Sequence, residues 1–234
     1  MLTNGLFLET ERCPDGVDLE RGNVEVTDLQ HGTTFGEFRE YFRARSARRQ
    51  PIRLEFQNLN NPVVVEFVNA REDSQLAQFF SKFGWDSSQD PSYSGWLSSG
   101  ARDHGPQLQF VRTSQKEFRN WLGSLGGSGA LDALQAITSS YGYAGVQLEP
   151  EFNISGEDGI PRMLLKCSSL TNFMKMEVAM AAMHGAKLAT CEHCRTVFLT
   201  GPLTGRRSHA KYCSDRCRVA AMRARNRGEL NVNS

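Results

Sequence analysis

Short strand-like runs alternate with amphipathic helical runs over the first two thirds of the chain, and two cysteine pairs follow in a basic carboxyl-terminal stretch. Together these predict an α+β main domain with a small C-terminal treble-clef-like zinc finger. At 234 residues, with 39% hydrophobic and 23% charged residues and 14 Phe, the chain can build one ordinary core plus a small satellite. The expected divisions are 1–165 for the main domain, 166–187 for a connecting helix, 188–228 for the finger and 229–234 for a tail.

Expected strands, judged by β-branched content, alternation and flanking turn residues, are Gly5 to Glu9, Ile52 to Phe56, Val63 to Val68, Leu108 to Arg112 and Val146 to Phe152. A helix is expected from Thr34, which can cap its first turn with Glu37 reaching back, through Phe35, Phe38 and Phe42 to Arg49 before Pro51. A second spans about Asp73 to Phe83 with Gly84 as its stop. A third follows Ser114, with Glu117 completing a capping box and Phe118, Trp121 and Leu122 on one side. Trp85 to Gly105 and Gly123 to Gly129 read as loops, because Pro and Gly break any periodicity. A further helix begins at Ser168 or Ser169 and carries Leu170, Phe173, Met174, Glu177, Met180 and Met183 to Gly185. Its methionine-rich face reads as gap-filling core, with an adaptable partner groove as the other use of the same chemistry.

No stretch reaches the roughly 18 apolar residues that a membrane span needs, and the first residues lack the basic and apolar regions of a secretory signal. A cytoplasmic setting without membrane contact is therefore expected, and there clustered cysteines are more often ligands or catalytic groups than disulfides. The pattern is C-x2-C-x18-C-x3-C: Cys191, Cys194, Cys213 and Cys217. Zinc takes four thiolates in a tetrahedron; a tight turn presents the first pair, and a helix capped by Ser214 sets Cys213 and Cys217 one turn apart. Such a closed site leaves no position for water, which disfavours hydrolytic metal chemistry. Reactive thiols and an iron-sulfur cluster are the other chemistries open to four cysteines. His193 and His209 read as surface residues, and Cys13 and Cys167 as ordinary thiols.

Net charge is +1, but Lys187 to Arg227 holds ten basic residues against two acidic ones. Four thiolates and one divalent ion reduce that excess by two. The helix after Cys217 places Arg216, Arg223 and Arg227 on one flank and Arg218 and Arg225 on the other, with Ala220, Ala221 and Ala224 toward the metal. With Arg206, Arg207 and Lys211, these are the candidate nucleic-acid contacts, since guanidinium groups give paired hydrogen bonds to phosphate. The plainer reading is a solvated basic helix end. A second run, Arg39, Arg43, Arg45, Arg48, Arg49 and Arg53, reads as the wet face of the Phe35 helix or as an extension of the basic surface.

The segment LATCEHCRTVFLTGPLTGRRSHAKYCSDRCRVAAMRARNR resembles the CGNR-type zinc fingers at the carboxyl end of bacterial stress-linked transcription regulators. Shared features are the cysteine pair with a following aromatic position, the basic stretch, the aromatic-Cys-Ser start of the second pair and the Ala/Arg-rich helix. The preceding helix is similar too, and VVVEFVNA is faintly similar to a Phe-Val-Asn turn upstream. The Gly-Asn-Arg of that family is Arg218, Val219 and Ala220 here, and the second pair is spaced by three rather than four. The resemblance covers about residues 165–228 and implies a bacterial DNA-binding regulator. A protein-interaction module and an enzyme with its site in the amino-terminal domain are the competing readings. No phosphate loop, nucleophile elbow or paired His-carboxylate motif is present, and His31, His104 and His184 are scattered.

Overall fold

The computed structural model describes residues 5–28, 33–85, 104–127, 148–153 and 162–227. Nine strands are described: β1 (Leu6–Arg12), β2 (Val17–Asp28), β3 (Thr33–Ala44), β4 (Gln50–Glu55), β5 (His104–Gln107), β6 (Leu148–Asn153), β7 (Arg162–Cys167), β8 (Lys187–Thr190) and β9 (Val197–Thr200). The described helices are α1 (Val63–Asn69), α2 (Asp73–Phe83), α3 (Leu108–Gly123), α4 (Leu170–Met183) and α5 (Asp215–Asn226).

The strands form three sheets, in the orders β4-β1-β7-β6, β2-β3-β5 and β8-β9. In the first, β1 runs antiparallel to β4 and parallel to β7. One apolar core joins them: Leu6 and Leu8 of β1, Phe42 of β3, Val64 and Phe67 of α1, Phe79 and Phe80 of α2, Phe118 and Leu122 of α3, and Phe173 and Met174 of α4. Its centre is aromatic. Phe67 meets Phe79 at 5.1 Å and Phe118 edge-on at 5.9 Å, and Phe80 meets Phe42 at 4.8 Å. Ala186 and Leu199, beside and within the β8-β9 hairpin, belong to the same core.

Several expected elements hold. Strands β1, β4 and β6 fall where alternation places them, within a few residues. Helix α2 spans the expected residues, and Glu72 and Gln75 form a capping box at its start. It stops at Gly84, whose φ is 71° and whose Cα passes so close to β1 that a Cβ would strike the Glu11 carbonyl. Helix α4 starts after Ser169, whose Oγ accepts the Asn172 N–H. Its Met174 and Met180 are core, while Met183 is 70% exposed.

Three expectations are overturned. The segment expected as a helix from Thr34 is strand β3, paired with β2 along its whole length. Aromatic and β-branched residues suit a strand, and the register sets opposite charges side by side: Arg21 pairs with Glu40 at 2.6 Å, Arg43 with Glu20 at 3.1 Å and Arg45 with Asp18 at 2.7 Å. The valine run Val63–Val68, expected as a strand, is helix α1. Leu108–Arg112, also expected as a strand, is the opening of α3. Ser114 therefore caps nothing; it lies inside the helix and donates to the Phe110 carbonyl four residues back. Of the expected loop Trp85 to Gly105, residues 86–103 lie outside the described residues, and His104 and Gly105 belong to β5. Of Gly123 to Gly129, Gly123 ends α3, residues 124–127 turn away from it as expected, and 128–129 lie outside the described residues.

Candidate metal centre

The β8-β9 hairpin presents the first cysteine pair at its tip. The Cys191 N–H donates to the Thr196 carbonyl at 2.9 Å, and the Arg195 N–H returns to the Cys191 carbonyl at 3.0 Å. Arg195 closes this turn in the left-handed region, at φ 61°. The second pair comes from the start of α5, where the Ser214 hydroxyl accepts the Cys217 N–H and Asp215 occupies the first turn. Glu192 N–H to the Lys211 carbonyl, at 3.0 Å, ties the two halves together.

The four sulfurs all lie within 4.8 Å of one another. Cys213 Sγ is 3.6 Å from Cys194 and 3.5 Å from Cys217. A tetrahedron of thiolates with metal–sulfur bonds of about 2.3 Å has edges of about 3.8 Å, so this cluster is positioned to bind one metal ion. The same crowding splits the thiols unequally when they are metal-free. Burial pushes Cys194 up, but hydrogen bonds from the Thr196 hydroxyl and N–H outweigh it and bring Cys194 down to about 6. Burial, with the Cys217 thiol beside it, drives Cys213 up to about 12. A bound divalent cation would hold all four as thiolates.

The hairpin is fastened to the rest of the chain at defined points. Asn69, at the end of α1, uses its side-chain amide as a strand would use its backbone: Nδ2 donates to the Val197 carbonyl at 2.8 Å, and Oδ1 accepts the Val197 N–H at 2.9 Å. Helix α1 is in turn held at both ends from afar. Pro62 offers no side-chain cap, and the fully buried Glu177 of α4 accepts the Val63 and Val64 N–H groups at 2.9 and 2.7 Å. At the other end Gln115 Nε2 donates to the Phe67 and Ala70 carbonyls, and Arg119 donates to the Val68 carbonyl. Burial pushes the Glu177 carboxyl up to about 8, against the lowering effect of its two N–H donors.

The structure sorts the expected basic contacts. Arg206 is spent within the fold: Nε donates to the Cys213 carbonyl at 3.0 Å, Nη1 to the Asn60 carbonyl at 2.6 Å, and its guanidinium lies over the Phe198 ring. Arg218 pairs with Asp215, Arg225 donates to the Tyr212 hydroxyl, and Lys211 pairs with Glu192. The exposed side chains of Arg207, Arg216 and Arg223 have no partner among the described residues, and Arg227 is also exposed. The second basic run is offset rather than open. Beyond the β2 pairs already given, Arg48 lies 3.9 Å from Asp15, Arg53 pairs with Glu55, and Arg49 stacks on Trp85. His193 and His209 are exposed, while Cys13 and Cys167 are buried free thiols.

Sequence reasoning missed Thr196, Asn69, Glu177 and the α3 trio of Arg112, Gln115 and Arg119. The trio is spaced three and four apart, a helical signal that emerges once α3 begins at Leu108. Asn69 and Glu177 carry no local signal.

What the geometry defines is a four-cysteine metal-binding site in a mixed α and β chain. Among the described residues no helix is long and apolar enough to cross a membrane. Comparison with protein-family models, with curated proteins and with solved structures finds no match for the chain.

Proposed function

We propose that this chain is a zinc-dependent DNA-binding transcription regulator in which a closed, treble-clef-like zinc site holds α5 against duplex DNA. The observation that carries the reading is the arrangement of α5. The helix springs from the four-sulfur cluster and turns Arg216 and Arg223 outward without partners among the described residues, in a region where Arg206, Lys211, Arg218 and Arg225 already have partners. Arg216, Arg223 and Arg227 fall within about 40 degrees of one another around the helix. Four sulfur ligands suit zinc and leave no open position, so the metal's part is to hold the fold. The regulator role rests on the resemblance of the finger, with the amino-terminal domain sensing a ligand or partner.

The test is a duplex titration of the purified protein across salt, with zinc content measured alongside. Elemental analysis should give one zinc per chain. Contact with about four phosphates gives a slope near −3.6 in log affinity against log salt, at about 0.9 per contact. Arg216→Ala with Arg223→Ala should lower that slope by nearly two units at unchanged zinc content. A double variant with the wild-type slope, or no binding at low salt, ends the reading.

A second reading has its own observation. Val219 and Met222 stand 37% and 49% exposed on the outer side of α5, which suits docking on a protein. Loss of a protein complex on Met222→Ser, in a chain that ignores duplex DNA, would favour it.

A further inference from the structure

Away from α5, three arginines gather where α1 ends. Arg119 donates Nε and Nη2 to the Val68 carbonyl at 3.1 and 2.5 Å. Arg112 donates Nη1 to the Ala70 carbonyl at 3.3 Å and pairs through Nη2 with Asp73 at 2.6 Å. Arg71 donates Nη2 to the carbonyl of Arg195 at 2.7 Å, which places this group against the turn that follows Cys194.

Capping explains why arginines come here, since the carboxyl end of a helix carries about half a negative charge. It does not balance the count. Three full positive charges face that half charge and one carboxylate, Asp73. The neighbouring Glu72 is turned to the start of α2, where its side chain takes the Gln75 N–H and the Ser74 hydroxyl. The strain registers on Arg119, whose pKa is lowered first by burial and then by Arg71 and Arg112. Neutral carbonyls aim two of these guanidinium groups without cancelling their charge. Nη1 of Arg119, and Nε and Nη1 of Arg71, have no partner among the described residues. Exposed guanidinium groups fixed in this way match the oxygens of a tetrahedral anion, to which each can give paired hydrogen bonds.

We propose that Arg71, Arg112 and Arg119 form a phosphate-binding site beside the zinc knuckle, with Arg71 and Arg119 supplying the free donors and Arg112 the adjoining charge. The phosphate belongs either to a nucleic-acid backbone or to a small phosphorylated ligand. The site stands on the main domain and does not depend on α5 binding DNA.

The experiment follows the arginine Nε resonances of the full-length, zinc-loaded protein by NMR during titration with inorganic phosphate at constant ionic strength, with chloride as the control. Arg71 and Arg119 should shift and saturate with phosphate and not with chloride. Arg71→Ala removes a single contact to a carbonyl and leaves α1 capped; it should weaken phosphate binding about tenfold, the loss expected for one charge-assisted hydrogen bond. Arg119→Lys keeps the charge, loses the fork and should weaken binding too. A response shared equally by chloride, a shift that never saturates, or unchanged affinity in Arg71→Ala overturns the proposal and leaves the arginines as helix caps alone. A short duplex then separates the sources. If it moves the same resonances and phosphate displaces it, the backbone is the ligand; if phosphate binds and the duplex leaves them still, the ligand is a small phosphorylated molecule.

Discussion

Helices α1 and α5 both support the cysteine cluster, but they are secured in opposite ways. Helix α5 carries its own ends: Ser214 caps it, Asp215 sits in its first turn, and Arg223 and Arg225 sit in its last. Helix α1 carries only Glu66 in its first turn, with no side-chain cap and no basic residue in its last. Its seven residues include four valines, and its terminal groups are satisfied by Glu177, more than a hundred residues away, and by the α3 side chains Gln115, Arg112 and Arg119. A helix that brings its caps can be read from a dozen residues, whereas one capped from elsewhere exists only once the fold does. The difference also divides their expected dependence: α5 springs from the cysteine cluster and should depend on the metal proposed there, whereas α1 is packed into the core.

The sharpest way to break this contrast is to remove the metal. Cys191→Ser should abolish stoichiometric binding of the proposed zinc and, with it, the roughly 10 kcal/mol or more of binding energy expected to order the module. Hydrogen exchange should then show α5 amides losing protection while those of α1 keep theirs. Joint loss would mean that the two helices form one cooperative unit.

Next in size is Glu177→Ala, which orphans the buried N–H groups of Val63 and Val64 and should destabilise the protein by about 2–4 kcal/mol in denaturant unfolding, at unchanged zinc content. Glu177→Gln keeps an acceptor and should do less. The same residue sets a pH dependence. Its carboxyl rises from 4.5 to about 8 on folding, by burial above all, with Glu66 nearby adding to the rise. The folded chain therefore holds a proton that the unfolded chain releases. That contribution is complete below about 4.5 and is lost as pH climbs toward 8. Thermal melts should fall across this window in the wild type and flatten in Glu177→Gln.

Asn69→Ala cuts both side-chain links between α1 and β9 and should cost about 1–3 kcal/mol. Its exchange signature should centre on Val197 rather than on α5. Smallest is Ser214→Ala, which removes the local cap of α5 for about 1 kcal/mol. If zinc holds the helix as argued, metal stoichiometry should not change.

The same contrast decides what the sequence could tell. The cysteine pairs, the Ser214 and Ser169 caps, the Gly84 stop and the alternation of β1, β4 and β6 are each encoded within a few neighbouring residues, and each is found in place. The valine run of α1 and the phenylalanines of β3 pointed the wrong way, because the deciding partners, Glu177 for one and the whole of β2 for the other, lie outside any local window. Arg206 looked like a surface cation; its carbonyl partners at Asn60 and Cys213 become visible only when the chain is folded.

The position of β1 has a consequence for how the molecule comes into being. Its edges are taken by β4, about forty residues on, and by β7, whose Leu165 and Lys166 lie some 160 residues downstream. A ribosome adds about 5–20 residues per second. Strand β1 therefore waits on the order of ten seconds or more with one edge unmatched until β7 is made, and α4, which packs against the finished sheet, follows directly behind. Pairing over such a separation is intrinsically slow, so during synthesis this open edge stays exposed to wrong partners.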